Sequence, residues 1–179
     1  MAEKKRLDTV VVDLGFAETR SKASAIIMSG EIYVNGQKET KSGYAVKNTD
    51  KIEFKGKKMP FVSRGGYKLE KAMKTFPINL KDCVCMDIGA STGGFTDCML
   101  QCGATKVYAI DVGYGQLAWK LRTDERVVNL ERTNFRYLTK ETVTNEIDFA
   151  SIDVSFISLK KILPVLFDFL KDNGKTVAL

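Results

Sequence analysis

Hydrophobic positions near the start of the chain recur at helical spacing and then alternate as they do in a strand. Residues 6–16, RLDTVVVDLGF, predict one short helix, and residues 19–30, TRSKASAIIMSG, predict a second helix that ends at a glycine. The next stretch alternates on both sides of Asn35-Gly36, the preferred two-residue turn of a β-hairpin, and DKIEFKG predicts one more strand. These elements together predict a small α+β domain.

From residue 83 onward, short apolar strands alternate with helices. Such alternation is typical of a parallel sheet in a Rossmann-like layout. We therefore predict an α/β protein, with the small α+β domain in residues 1–58, a linker in residues 59–63 and a Rossmann-like domain in residues 64–179. The predicted strands are CVCMDIGA, KVYAIDVG, RVVNLER, IDFASIDVSF and KTVAL, and the predicted helices are GGFTDCMLQCG and LKKILPVLFDFLKDNG.

The net charge of +6 is distributed unevenly along the 179 residues. Residues 1–75 carry 16 Lys and Arg against 9 Asp and Glu, whereas residues 76–179 carry 12 against 13. A basic front half joined to a neutral back half indicates a polyanion-binding domain attached to a domain of another kind. A solvated lysine-rich surface would have the same composition, so charge alone leaves both interpretations open.

Several classes of protein are disfavoured by composition. No apolar stretch approaches the roughly 20 residues of a membrane helix, and no secretory signal is visible, so we expect a cytoplasmic protein with no membrane contact. The four cysteines have neither a C-x-x-C spacing nor any histidine beside them, which favours reduced thiols over a zinc site, and no metal is expected. Without histidine, proton transfer must use Lys, Asp, Glu or Tyr.

The stretch DIGASTGGFTD, residues 87–97, is a glycine-rich turn between a predicted strand and a predicted helix. Asp111 follows Gly89 by 22 positions, as the ribose-binding acid of a dinucleotide site would, but the glycine spacing is G-x-x-x-G-G instead of G-x-G-x-x-G. Asp87 would repel a pyrophosphate and suits the cationic end of S-adenosylmethionine. A tight turn without a ligand is the remaining alternative. The loop Gly113-Tyr114-Gly115 is predicted to cover the ligand.

Residues 6–55 resemble the RNA-binding domain of small-subunit ribosomal protein four. The likeness rests on Arg6-Leu7-Asp8, Gly15, Arg20-Ser21, IIMSGEIYVNG and NTDKIEF. It implies that the helix carrying Arg20 and Lys22 faces a structured RNA, which it would recognise through phosphates and shape. The candidate RNA-binding residues are Arg6, Arg20, Lys22 and, at the junction of the domains, Arg64. The spacing of these residues alone would also fit exposed helix residues that contact no RNA.

The whole chain resembles the TlyA family, also called hemolysin A. The motifs that carry the likeness are SRGGYKLEKA, DIGASTGGFTD, IDVGYGQLAW, ERTNFR and SIDVSFISLKKILP. The family joins the RNA-binding domain to a Rossmann-like, S-adenosyl-L-methionine-dependent methyltransferase domain of the FtsJ type. The resemblance implies ribose 2′-O-methylation of cytidine in ribosomal RNA, with ribosomal RNA or ribosomal subunits as partners.

The resemblance also implies site residues. Of a catalytic Lys–Asp–Lys–Glu set, Lys68 matches the first lysine and Asp153 the aspartate, and Asn134 falls at a position on the cofactor side. Methyl transfer to a hydroxyl needs alignment and removal of a proton, for which a lysine with a depressed pKa serves as a base. A solvated helix lysine is the alternative for Lys68. The implied cofactor-lining residues are Gly89, Ser91, Gly93 and Asp111, in addition to Asp87.

The chain stops at Leu179 inside the predicted fifth strand, before the family's second catalytic lysine and its glutamate. We therefore expect either a fragment of a longer polypeptide or a truncated product that keeps much of its RNA-binding surface but has little or no methyltransferase activity. A non-catalytic RNA-binding or ribosome-assembly protein is the second interpretation, and a hemolysin is a remote third. The sequence does not predict an oligomeric state.

Overall fold

The computed structural model describes residues 4–56, 59–155 and 157–179, which form two compact units divided between Lys58 and Met59. Some sequence predictions lie outside the described residues. They concern residues 1–3, Lys57 and Lys58, and Phe156 at the end of the predicted strand IDFASIDVSF. The exact domain boundaries stay a prediction.

The first unit packs two helices against two small antiparallel sheets. The β2 strand pairs with β3 and β5 in one sheet, and β1 pairs with β4 in the other. A single apolar cluster fills the space between them, with Leu7 and Val11 from one helix and Ala23 and Ile27 from the other. The elements are β1 (Lys4–Arg6), α1 (Leu7–Asp13), α2 (Arg20–Met28), β2 (Ile32–Val34), β3 (Gln37–Lys38), β4 (Ala45–Lys47) and β5 (Ile52–Phe54).

The predicted hairpin is present, and its turn has the expected backbone. Asn35 and Gly36 have φ angles of 50° and 81°, the two left-handed positions that a type I′ turn requires. The α2 helix begins at an N-cap, Thr19, whose side chain accepts a hydrogen bond from Lys22 N. The strands β1 and β4 were not predicted, because three consecutive basic residues in β1 give no alternation of apolar and polar positions.

The second unit is a five-stranded parallel sheet between helices, in the order β10-β9-β6-β7-β8. Alternate strand residues face two separate apolar clusters, one on each side of the sheet. Of the helices described in either unit, none is long and apolar enough to cross a membrane. The elements are α3 (Gly65–Thr75), β6 (Val84–Ile88), α4 (Gly94–Gln101), β7 (Lys106–Ile110), α5 (Trp119–Arg122), β8 (Val127–Leu130), β9 (Ile147–Ile152), α6 (Leu163–Phe167) and β10 (Leu170–Ala178), with 3-10 turns at Phe135–Tyr137 and Leu159–Lys161.

The strand order places β6 at the centre, with β7 on one side and β9 on the other. After β6, the chain forms β7 and β8 on one side of this strand and then crosses over to form β9 and β10 on the other side. At such a switch point, the loops that follow the two central strands diverge and leave a crevice outside their carboxyl ends. This arrangement positions the candidate site.

The predicted helix over residues 159–174 is wrong in its second half. The α6 helix ends at Phe167, and β10 begins at Leu170 beside β9. Phe169 is buried between them, and its carbonyl oxygen accepts a hydrogen bond of 2.9 Å from Ile147 N. The parallel pairing with β9 thus overrides the helical spacing of the apolar residues in FDFL.

The predicted linker, residues 59–63, lies in the second unit, and its later residues are packed there. Phe61 is buried in the core, and Val62 N donates a hydrogen bond of 2.8 Å to the Asp97 carboxylate on α4. The glycines of SRGG and TGGF then allow α3 and α4 to approach closely. A Cβ on Gly94 would lie 2.8 Å from Gly66 N, and one on Gly66 would lie 2.3 Å from the Phe61 ring.

We predict that Gly66→Ala destabilises the second unit although alanine favours a helix. Overpacking against Phe61 costs about 1–3 kcal/mol, more than the ~1 kcal/mol that alanine contributes in a helix. Gly65→Ala is the matched control, because a Cβ at Gly65 makes only ordinary contacts of 3.4 Å and longer. Denaturant unfolding followed by fluorescence of Trp119, the single tryptophan, measures both variants. Equal stability of the two variants would contradict the close approach.

Candidate functional site

A cavity of about 430 Å³ opens at the carboxyl ends of β6, β7 and β9. Its volume lies in the range of small-molecule sites. A shallower hollow of about 470 Å³ beside Pro77 and β10 lies at the edge of the sheet, away from these strand ends. The residues lining the deeper cavity include five that the sequence singled out, Gly89, Ser91, Asp111, Asn134 and Asp153, together with Ile88, Ile110, Val112, Thr133, Phe135, Val154, Ser155, Ile157 and Ile162.

The glycine-rich loop turns sharply through three residues with left-handed backbone. The φ angles are 88° at Gly89, 49° at Ser91 and 90° at Gly93. A Cβ on Gly89 would lie 2.5 Å from the carbonyl oxygen of Asp153, so this loop lies directly against the backbone that follows β9. Gly93 faces the other way, because its Cβ would meet the side chain of Leu121 at 2.3 Å, and it does not line the cavity.

Asp111, at the end of β7, holds two loops together. One carboxylate oxygen accepts a hydrogen bond of 2.7 Å from Ser91 N, and the other accepts one of 2.7 Å from Gly113 N. Each oxygen of an ionised carboxylate has a second lone pair. Asp111 can therefore keep both loops in place while it accepts hydrogen bonds from ligand hydroxyls in the cavity.

Asp87 lies behind the cavity and is absent from its lining. Its side chain is buried, and its oxygens accept hydrogen bonds of 2.7 Å and 2.9 Å from Thr96 Oγ1 and Thr96 N and one of 2.9 Å from Ser151 Oγ. Burial raises the pKa of Asp87 to about 6, although these hydrogen bonds oppose the shift. The carboxylate ties β6 to the first turn of α4 and to β9.

Lys68 and Asp153 come together although they are 85 positions apart in the sequence. Lys68 Nζ, on α3, donates a hydrogen bond of 2.8 Å to Asp153 Oδ2 at the end of β9. The two side chains are 57% and 36% exposed, so a large substrate can reach them. An exposed ion pair typically contributes under about 1 kcal/mol to stability. Stability therefore does not by itself explain the pairing of Lys68 with Asp153, which agrees with a functional role.

Asn134 lines the cavity from the start of a 3-10 turn. Its side-chain oxygen accepts a hydrogen bond of 3.2 Å from Arg136 N, which leaves the amide N–H groups as donors. The neighbouring wall is apolar, formed by Ile110, Val112 and Phe135. Sequence reasoning did not identify this wall, since apolar residues in strands and turns carry no signal that separates a pocket lining from a core.

Sequence reasoning also missed Asp97, a buried carboxylate within α4. It accepts hydrogen bonds from Val62 N and from the Gln101 amide, and it pairs with Lys120 at 3.0 Å. The only signal in the sequence is an acid inside the apolar helix GGFTDCML, which is unusual for a residue facing the core.

The predicted RNA-binding residues are all exposed. In the first unit, Arg6 and Arg20 share one acid, and Lys22 pairs with Glu18 at 2.5 Å. Arg64 stands at the N-cap of α3 in the second unit.

Comparison with protein families agrees with this division of the chain. The FtsJ-like methyltransferase model matches residues 61–170, and the S4 domain model matches residues 5–52. The chain belongs to the FtsJ-like methyltransferase family. The predicted fold class, a small α+β domain followed by a Rossmann-like methyltransferase domain, is therefore confirmed.

Individual relatives confirm the resemblance to TlyA proteins. A Bacillus subtilis protein named as a candidate rRNA methyltransferase, YqxC, is 54% identical over 99% of this chain and 64% of its own length. The Mycobacterium tuberculosis protein named 16S/23S rRNA (cytidine-2′-O)-methyltransferase TlyA is 44% identical over 93% of this chain and 62% of its own length. The chain thus spans less than two thirds of the length of these two relatives.

Two solved structures share the fold of this chain over most of its length. A candidate hemolysin from Streptococcus thermophilus superposes with a TM-score of 0.68 and 47% identity, over 99% of this chain and 66% of that one. A candidate S-adenosylmethionine-dependent methyltransferase from Listeria monocytogenes shares the fold with a TM-score of 0.51 and 19% identity, over 65% of this chain and 55% of that one.

We predict that Asp87 makes the second unit less stable as pH rises from about 4 to about 6. The folded state binds a proton on Asp87 up to a pKa of about 6, whereas the unfolded chain releases it near 3.8. Stability from the neutral form is therefore present below the unfolded pKa and is lost as pH rises through the folded one. Asp87→Asn keeps a neutral side chain of the same shape and should remove this part of the pH dependence.

The measurement is the free energy of unfolding of wild type minus that of the variant, from pH 4 to pH 8. Asp168→Asn, an exposed carboxyl in the same unit, is the control for removing a carboxyl group as such. A difference for Asp87→Asn that does not change with pH would contradict the raised pKa of the buried carboxyl.

Proposed function

We propose that this chain supplies the RNA-binding and cofactor-binding parts of an enzyme that methylates the ribose 2′-hydroxyl of cytidine in ribosomal RNA, with S-adenosyl-L-methionine as methyl donor. The observation that carries the proposal is the Lys68–Asp153 pair, which stands at the cavity formed by the glycine-rich loop. Relatives named as rRNA methyltransferases support it. Because the chain spans less than two thirds of their length, the activity is proposed for the natural polypeptide as a whole.

The cavity fits S-adenosylmethionine better than a dinucleotide. Its described lining residues include two carboxylates, Asp111 and Asp153, and neither lysine nor arginine; Asp153 is paired with Lys68, so Asp111 is the carboxylate without a cationic partner among the described hydrogen bonds and ion pairs. Such a lining suits a ligand with sulfonium and ammonium groups and disfavours a pyrophosphate. Asp111 would hold ribose hydroxyls, and Gly89 and Ser91 would let the backbone approach the methionine portion. Asn134 and the apolar wall would hold the adenine ring.

Bound S-adenosylmethionine supplies an electrophilic methyl group on a sulfonium. The Lys68–Asp153 pair orients the attacking ribose 2′-oxygen and receives its proton. When bound, the cofactor would supply its methyl group to the 2′-oxygen and keep the electron pair of the broken sulfur–carbon bond as a neutral thioether. General-base assistance of this kind contributes about 10²–10⁴-fold, and alignment adds further acceleration.

The partner implied by this function is ribosomal RNA, free or within ribosomal subunits. The first unit matches the S4 domain and presents Arg6, Arg20 and Lys22 at its surface. Guanidinium and ammonium groups bind phosphates and give most of the affinity for RNA. A cytoplasmic location follows from the proposal, because ribosomes are there.

We predict that Asp111→Asn weakens binding of S-adenosylmethionine by about 10–100-fold, since a hydrogen bond to a charged group contributes roughly 1.5–3 kcal/mol. Isothermal titration calorimetry measures the affinity. Asp148→Asn is the control, because this acid lies at the other end of β9, where it pairs with Lys171. Equal affinities of wild type and Asp111→Asn would remove Asp111 from the cofactor site.

We predict that Lys68→Met slows methyl transfer by about 10²–10⁴-fold and leaves cofactor affinity unchanged. The assay follows labelled methyl groups from S-adenosylmethionine into ribosomal subunits with the natively expressed polypeptide. Resistance of the labelled linkage to alkali identifies a 2′-O-methyl group. Lys71→Met, an exposed lysine on the same helix, should transfer at nearly the wild-type rate. A wild type that binds both RNA and cofactor without transfer would favour the non-catalytic alternative.

A further inference from the structure

One buried acid in the first unit holds two exposed arginines. The side chain of Asp8 is only 3% exposed, whereas those of Arg6 and Arg20 are 56% and 61% exposed. Arg6 donates two hydrogen bonds to Asp8, from Nε to Oδ1 at 3.1 Å and from Nη2 to Oδ2 at 2.8 Å. Arg20 Nη2, from the second helix, donates to the same Oδ2 at 3.2 Å.

The acid stays charged in this arrangement. Hydrogen bonds from Arg6 lower the pKa of Asp8 well below its usual range, and Arg20 adds to the effect against burial. An ionised carboxylate accepts from both guanidinium groups at once and thereby fixes how they stand relative to each other. Asp8 therefore links residues from the start of α1 and the start of α2.

Each guanidinium keeps donors for a further ligand. Arginine has five N–H donors, and Asp8 takes two from Arg6 and one from Arg20. Within residues 4–56, no other side chain or backbone oxygen accepts from these two arginines. Gly43 leaves room for the Arg6 head group, since a Cβ there would lie 3.1 Å from Arg6 Nη1. Two cations with free donors and fixed spacing suit the oxygens of phosphate groups.

We propose that Asp8 is a positioning residue that arranges Arg6 and Arg20 as one phosphate-binding pair for structured RNA. The proposal rests on the RNA-binding role in the proposed function. Lys22 differs from this pair, because its partner Glu18 is exposed and belongs to the same short stretch of chain. Lys22 therefore presents a single charge, whereas Arg6 and Arg20 act together.

Whether removal of Asp8 strengthens or weakens RNA binding distinguishes the positioning role from a general effect of net charge. Removing a negative charge beside an RNA-binding surface should strengthen binding, because RNA affinity follows the net positive charge presented to the phosphates. If Asp8 positions the arginines, its removal should weaken binding although the surface becomes more positive. Glu18→Gln provides the comparison, because it also removes one negative charge but from a residue that pairs with Lys22.

The test measures binding of the whole chain to labelled 16S and 23S ribosomal RNA transcripts across a range of salt concentrations. Asp8→Asn should weaken binding by about 5–30-fold and lower the salt dependence by about one phosphate contact, and Glu18→Gln should bind as tightly as wild type or more tightly. Arg20→Ala should reduce RNA affinity less when it is added to Asp8→Asn than when it is made in wild type. The reason is that Asp8→Asn has already disrupted the Asp8–Arg20 pair.

A second variant keeps the test valid if Asp8→Asn does not fold. Arg20→Lys retains the charge on an exposed side chain but cannot bond Asp8 and a phosphate through one planar group. It should fold, as judged by circular dichroism, and bind RNA several-fold more weakly. A folded Asp8→Asn that binds as tightly as wild type, or an Arg20→Lys equal to wild type, overturns the positioning role alone. Failure of wild type to bind either RNA overturns the RNA-binding function as well.

Discussion

The second unit depends on the buried carboxylate of Asp87 at the end of the central strand. Its hydrogen bonds to Thr96 and Ser151 join β6 to the first turn of α4 and to β9, at the point where the strand order of the parallel sheet reverses. A buried carboxylate is unfavourable unless its oxygens are hydrogen-bonded, so these three elements must meet in one arrangement. The glycine-rich loop begins two residues later, and its course is fixed by the same contacts.

The loop determines where Lys68 and Asp153 lie relative to each other. Gly89 lies against the backbone of Asp153, and Gly94 lies against the start of α3, which carries Lys68. Any side chain at these two positions would push one partner of the Lys68–Asp153 pair away. The segment proposed to hold the cofactor therefore also sets the distance between the groups proposed to receive the proton.

A buried acid organises charged groups in the first unit too, with a different consequence. Asp8 holds side chains whose remaining donors are exposed, whereas Asp87 holds groups that stay inside the protein. A free arginine loses rotamer freedom when it binds a phosphate, and prior tethering reduces that cost. The acid lowers the net charge of the surface, but it holds two guanidinium groups in place for the RNA phosphates proposed to bind there.

The sequence by itself determined the elements whose signals are local. The Asn35-Gly36 turn, the alternation of strands and helices and the loop from Gly89 to Gly94 depend on residues a few positions apart, and the structure contains all of them. Asp111 lines the cavity, because an acid at a strand end near a glycine loop faces the same crevice in any such sheet, and its role toward a cofactor stays a prediction.

Only the tertiary structure decided the features that join distant parts of the chain. The apolar spacing after Leu163 fits a helix or a strand equally, and pairing of Leu170 with Ile147 selected the strand. The sequence placed Asp87 before a glycine but did not show that its partner Ser151, 64 positions away, would turn the carboxylate inward. Lys68 and Asp153 meet because α3 packs on α4 through Gly66 and Gly94 and thereby lies beside the carboxyl end of β9, and no local pattern encodes that packing.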